Sequence, residues 1–131
     1  PGVLDARVPD DLGGHWLLVR IAKDKPGDGA RLIKTLGGLT TECQLPRWTL
    51  VVGAEADITN VDAALFHWMA NTAPDRDQYQ SVCGRRVAFD ATAKSVGDEA
   101  HGQPVRAWPP IISMTPSIRD QVTKRWTELG L

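Results

Sequence analysis

What this sequence has least of is charge of one sign. Its 15 basic residues against 16 acidic ones leave a formal charge of −1, so no broad field gathers phosphate backbones or anionic lipid, and nucleic acid is not an expected partner. Cysteine is scarce as well. Cys43 and Cys83 stand far apart and outside any C-x-x-C pair, which argues against a zinc ribbon or a redox motif and fits two reduced thiols in a cytoplasmic protein. No run of about 20 apolar residues is present to span a bilayer. Nothing near Pro1 has the basic, apolar, small-residue order of a secretory signal, and because the first residue is not Met the chain is expected to be a piece of something longer. What remains, 42% apolar and 24% charged residues over 131 positions, is the composition of one ordinary globular domain.

Local patterns supply the elements. The run Trp16 to Ala22 is short, apolar and bounded by Gly13-Gly14 and Lys23 to Pro26, which predicts a buried strand. After Pro26-Gly27, Asp28 is expected to cap a helix whose Leu32, Ile33 and Leu36 share a face, with Gly37-Gly38 as a left-handed stop. Thr49 to Val52 predicts a second strand. Thr59 or Asn60 then caps a helix with Val61, Ala64, Leu65, Trp68 and Met69 in one buried stripe. Pro74 to Asp77 has turn chemistry, Gln78 to Cys83 reads as a strand, and Val87 to Asp90 as another. The Gly- and Pro-rich residues 95–110 look like a surface excursion. Finally, Thr115 caps a helix with Pro116 at its first position and a stripe of Ile118, Val122, Trp126 and Leu129, ending at Gly130. The expected fold class is α/β: a single-domain layered fold, a mixed sheet with βαβ units and a C-terminal amphipathic helix.

Chemistry-bearing motifs are sparse. Gly27-Asp28-Gly29 lacks a third glycine and places a carboxylate where an anion would sit, so it reads as helix capping rather than a phosphate loop. There is no Gly-x-Ser-x-Gly elbow. His15, His67 and His101 lie far apart and none has a ligand partner at helical spacing. His67 falls off the buried stripe of its helix and reads as a surface or interface residue. Asp75-Arg76-Asp77 has the residues of an active-site ion cluster but is better explained as a self-satisfying turn. Trp108, ahead of Pro109-Pro110, is suited to packing on another domain or protomer. No catalytic residue and no metal ligand is assigned within the chain.

A series of phrases in one order resembles the C-terminal half of UbiD-family decarboxylases. Pro1-Gly2-Val3 opens as that half does. Lys23, Lys25, Pro26, Gly27, Ala30 and Arg31 are similar to its Pro-Gly-His-Ala-Arg helix start, with Asp28-Gly29 in place of the histidine. Val51-Val52 through Asp57-Ile58 resembles Val-Val-Asp-Glu-Asp-Ile-Asp, thinned of acids at Gly53-Ala54. Ala73 to Asp77 resembles Asp-Pro-x-Arg-Asp, and Gly84 to Lys94 resembles Gly-Ser-Lys-x-Gly-Leu-Asp-Ala-Thr-x-Lys. Trp108 to Ile111, Met114 to Pro116 and Arg125 to Leu131 are similar to the family's ending.

The resemblance implies that residues 1–131 form the C-terminal domain of a prenylated-FMN enzyme, without the flavin-binding domain. Such enzymes carry out reversible, non-oxidative (de)carboxylation of aromatic, heteroaromatic or α,β-unsaturated acids, with a divalent metal such as manganese and a potassium ion at the cofactor phosphate. The proton-handling Glu-Arg-Glu network lies in the N-terminal domain, so this domain alone is expected to be inactive and to bind no cofactor. The family's C-terminal domain acts as lid and dimerisation domain. Its expected partners are therefore its own N-terminal flavin-binding domain and a second copy, as a homodimer or higher oligomer. By position Arg86 takes the place of the family lysine that reaches toward the cofactor phosphate, keeping the charge and offering a fork of donors. The alternative is a free-standing, non-catalytic subunit of a multi-subunit carboxylase.

Overall fold

A computed structural model of the chain describes residues 1–38, 44–81, 84–98, 105, 112 and 114–128. In chain order the elements are β1 (Gly2–Arg7), a short 3-10 turn (Asp10–Leu12), β2 (Trp16–Ala22), α1 (Asp28–Gly37), β3 (Trp48–Gly53), α2 (Val61–Asn71), α3 (Pro74–Asp77), β4 (Gln78–Gln80), β5 (Val87–Ala91) and α4 (Pro116–Glu128). The five strands form one sheet in the order β1-β2-β3-β5-β4. The three central strands run parallel, and β1 and β4 are antiparallel edges. The α/β class and the mixed sheet expected from the sequence are those observed.

Period-two alternation along the central strands sorts their side chains onto two faces. Leu18, Leu50, Val52, Phe89 and Ala91 point to one side, where they bury Ala64 of α2 and Ala56 and Ile58 of the preceding loop. Val19, Ile21 and Val51 point to the other and bury Leu32 and Ile33 of α1. The helices thus cover opposite faces, and each buried aliphatic side chain contributes about 1.5–3 kcal/mol. Trp16, Trp48 and Trp68 extend the α2-side core. Trp16 stacks on Trp48 with ring centroids 5.7 Å apart, and Trp68 tilts onto Phe89 at 5.1 Å.

Several local expectations need correction. Gly27, at φ 77°, caps α1, and Asp28 is already its first residue. The Asp28 carboxylate turns back to accept the Asp24 and Lys25 N–H groups at 2.8 and 2.9 Å. The helix does not stop in a left-handed residue: Gly38 has φ −91° and donates to the Lys34 and Thr35 carbonyls. Asn60, one of the two expected caps, accepts the Ala63 N–H at 3.2 Å. Met69 lies outside the buried stripe of α2, 74% exposed. Pro74 to Asp77 is a helical turn, and β4 ends at Gln80. The strand β1 was not expected at all. Cys43, Cys83, His101, Trp108, Leu129 and Gly130 lie outside the described residues.

At the C-terminal end, Thr115 Oγ1 accepts the Ile118 N–H at 3.4 Å and Pro116 takes the first helical position, as the sequence predicts. The stripe of α4 is uncovered: Ile118, Val122 and Trp126 are 48, 36 and 55% exposed. No helix among the described residues is long and apolar enough to cross a membrane.

Candidate functional site

Arg86 is delivered by a tight turn. Gly84, at φ 68°, adopts a left-handed conformation suited to glycine, its N–H reaches Ser81 O, and Ser81 N–H reaches Arg86 O at 3.0 Å. β5 therefore starts immediately after Arg86. Its side chain is buried to 9% exposure. Nε donates to the Pro46 carbonyl at 2.9 Å, and one terminal nitrogen lies 3.4 Å from the Thr49 hydroxyl.

A cavity of 350 Å³ opens beside this guanidinium, lined by Ile33 and Leu36 of α1, Thr49 of β3, Tyr79 of β4, and Arg86 with Ala88 of β5. Burial, and secondarily the negative charges of Asp90 and Asp77, push the Tyr79 hydroxyl up to about 12. The phenol thus stays protonated and able to donate throughout the neutral range. A mostly apolar wall with a fixed cation and a neutral phenol suits a ligand with an apolar body and an anionic end.

A second cleft, of 320 Å³, lies at the opposite end of the sheet, beyond the carboxyl ends of the three parallel strands. Open α/β sheets commonly bind ligands there. It is lined by Lys23 and Lys25 after β2, Gly53 and Glu55 after β3, and Lys94 and Ser95 after β5. Two of its cations are already committed. Lys23 Nζ donates to Ala93 O at 2.5 Å and to Asp98 Oδ2 at 2.6 Å. Lys94 Nζ, with its side chain 1% exposed, lies 3.1 Å from Asp90 Oδ1 and 3.6 Å from Asp77 Oδ1 and donates to the Asp90 and Thr92 carbonyls.

The same network absorbs the Asp-Arg-Asp phrase. Arg76 forks onto Asp77, with Nη2 at 2.7 Å from Oδ2, and this bond, against the opposing effect of burial, raises the arginine's pKa. Asp77 also accepts the Ala73 N–H at 2.8 Å. The self-satisfying reading of this phrase therefore holds, with Lys94 and Asp90 as further members, while Asp75 stays exposed. Asp98 ties the excursion down. It is buried, accepting from Gly27 N–H, Ser95 and Lys23. Burial works to raise its pKa, but these donors together hold it below the usual carboxylate value.

The structure thus places Arg86 in a cavity wall. His15 is exposed and His67 is half-buried, its ring 5.9 Å from Phe66. Among the described residues no three His, Cys, Asp or Glu side chains gather in a way that could hold a metal. Asp98 and the role of Lys94 were missed from the sequence. Lys94 closes one of the family-like phrases, whereas Asp98 lies in none of them and its partners Lys23 and Gly27 are remote in sequence.

Comparison with known proteins agrees with this fold. Residues 1–102 match the UbiD family's 3-octaprenyl-4-hydroxybenzoate carboxy-lyase C-terminal domain. An uncharacterised protein of Aquifex aeolicus (strain VF5) is 25% identical over 146 residues, covering 100% of this chain and 29% of the relative. An evolved dimeric form of the UbiD-class enzyme HmfF from Pelotomaculum thermopropionicum, in complex with prFMN, superposes with a TM-score of 0.66. It is 17% identical and aligns over 90% of this chain and 24% of its own. The vanillic acid decarboxylase of Sedimentibacter hydroxybenzoicus, in closed form, gives a TM-score of 0.67 at 11% identity, over 97% of this chain and 29% of its own. The chain therefore spans less than a third of the length of these relatives.

Proposed function

Since the chain belongs to the UbiD carboxy-lyase C-terminal domain family, we propose that it is the lid and dimerisation domain of an enzyme for reversible, non-oxidative (de)carboxylation of aromatic, heteroaromatic or α,β-unsaturated acids. The observation that carries this reading is the family match across residues 1–102. It is supported by a fold shared with an enzyme bound to prFMN and with one that decarboxylates vanillic acid, an aromatic acid. Prenylated FMN, when bound, supplies the electron sink for the carbanion left as CO2 departs.

In this reading Arg86 serves the phosphate end of the cofactor. The side chain fits that role: a planar cation, fixed by the Pro46 carbonyl and lining a cavity, presents a geometry that matches phosphate oxygens. Manganese and potassium would be held by the flavin-binding domain. This chain's own contribution is to close the cleft, exclude water and place one cation.

The test is a decarboxylation screen with prenylated FMN and manganese, on the 131-residue chain and on a version extended upstream into a flavin-binding domain. Turnover by the extended protein alone is the expected result. Turnover by the short chain would overturn it, as would an extended protein that binds the flavin and decarboxylates none of these acids.

A further inference from the structure

The sheet ends in an open edge at β1, and the ladder fixes which backbone groups face outward there. Trp48 N–H donates to His15 O between β3 and β2, in the parallel register that pairs Trp16 with Trp48. The odd-numbered residues of β2 therefore turn their N–H and C=O groups to β3, while Leu18 and Arg20 turn theirs to β1. Arg7 and Asp5, the residues opposite them, take up those bonds. Ala6 lies between, opposite Val19, so its N–H and C=O point away from the sheet. The Asp5 carboxylate of the same chain accepts that outward N–H at 2.8 Å.

An open edge is a template for another strand, and chains that avoid association blunt it with lysine, proline or a bulge. Residues 2–8 hold no lysine and no proline, and the bulge between Val3 and Asp5 leaves Asp5, Ala6 and Arg7 in regular register. Val3, Leu4 and Val8 stay 54, 50 and 44% exposed along this edge. Asp5 and Arg7, opposite Arg20 and Leu18, share one face of the sheet, and Ala6 points to the other. Antiparallel pairing with a second β1, about a two-fold axis through Ala6, sets Asp5 opposite the partner's Arg7 and Arg7 opposite the partner's Asp5. Both charges of each chain are then matched one to one. An axis through Asp5 or through Arg7 would instead set like charges directly opposite each other, which is destabilising.

We propose that β1 of one copy pairs antiparallel with β1 of a second copy, centred on Ala6, so that two five-stranded sheets become one continuous sheet. The Ala6 N–H passes from the Asp5 carboxylate to the carbonyl of the partner's Ala6, reciprocally, and the released carboxylate meets the partner's Arg7. Asp5 and Arg7 fall at non-hydrogen-bonded positions of the new ladder, where facing Cα atoms approach to about 4.5 Å and side chains lie closest. The two-fold axis closes the contact, so association stops at a dimer. Reciprocal charge pairing selects a second copy as the occupant over a flavin-binding domain. The inference rests on the dimerisation role proposed above and specifies a contact surface for it.

The test is sedimentation equilibrium of the full chain and its variants. Asp5→Arg and Arg7→Asp each set like charges across the axis and are expected to weaken the dimer about tenfold or more. The double variant, Asp5→Arg with Arg7→Asp, exchanges the two charges and is expected to recover the parent's affinity, as is an equimolar mixture of the two single variants. Ala6→Pro removes the outward N–H while sparing the bonds to β2, and is expected to give a monomer with the parent's circular dichroism. A dimer whose dissociation constant none of these changes moves, or single losses that the double variant does not recover, overturns the β1 contact and leaves the dimerisation role standing. A monomeric parent overturns both.

Discussion

The Cα of Gly29 lies against the carboxylate of Asp90, so close that a Cβ on residue 29 would overlap both carboxylate oxygens. Asp90 is not free to give way. Its Oδ1 accepts the Thr92 N–H and hydroxyl at 3.0 and 2.6 Å and is paired with Lys94. Gly29→Ala is therefore expected to cost about 1–3 kcal/mol, the usual range for overpacking a well-filled site. Urea unfolding would show it as a lower midpoint with an unchanged slope, and an unchanged midpoint would mean that α1 can shift off the sheet.

Lys94 is the cation that makes two buried carboxylates tolerable. Replacing it by Met keeps the stem and removes the charge, leaving Asp77 with Arg76 alone and Asp90 without its ion-pair partner. A loss of about 3–5 kcal/mol is expected, the scale of an uncompensated buried charge. Thermal unfolding of Lys94→Met against Lys25→Met, an exposed lysine of the same cleft, separates this effect from general loss of charge.

Acid should loosen the entry to α1. The Lys25 N–H bond first, then that of Asp24 and the Arg31 guanidinium, outweigh burial and bring Asp28 from an ordinary 3.8 to about 2. A depressed carboxylate stabilises the fold fully above its unfolded value and loses that contribution as pH falls through its folded value. Stability should therefore drop between about pH 4 and about pH 2, and Asp28→Asn should flatten that drop. Denaturant midpoints across this window measure it, and an equally steep fall in the variant would assign the acid response elsewhere.

For Arg86 the prediction concerns the flavin. In the upstream-extended protein, Arg86→Ala should purify with less bound cofactor than the parent, and Arg86→Lys should restore part of it. The flavin absorbance per chain reports the difference. Equal cofactor content in all three would remove Arg86 from the phosphate.

Much of the fold was legible because its cause is local. The apolar runs of β2, β3 and β5 are set by burial on both faces, and Asn60 caps α2 through a bond to a residue three places on. β1 was illegible because all six of its residues are exposed and its place comes from β2, with a bulge between Val3 and Asp5. Asp28 misled because capping preference is a local statement, whereas a left-handed Gly27 and the remote Asp98 decide where the helix begins. Met69 misled because spacing predicts which residues share a face and not how wide a strip the sheet covers. The family resemblance picked out Arg86, but the Pro46 carbonyl that fixes it comes from 40 positions away, beyond the reach of any pattern in sequence.

The clasp at Asp98 also imposes an order of assembly. Its carboxylate satisfies Lys23 and the Gly27 N–H across 75 and 71 positions of chain. The loop that launches α1 therefore cannot reach its final state until β5 has docked and the chain has turned back past Ser95. A ribosome releasing this polypeptide would leave the Lys23 ammonium and the Gly27 N–H without this partner until Asp98 has emerged.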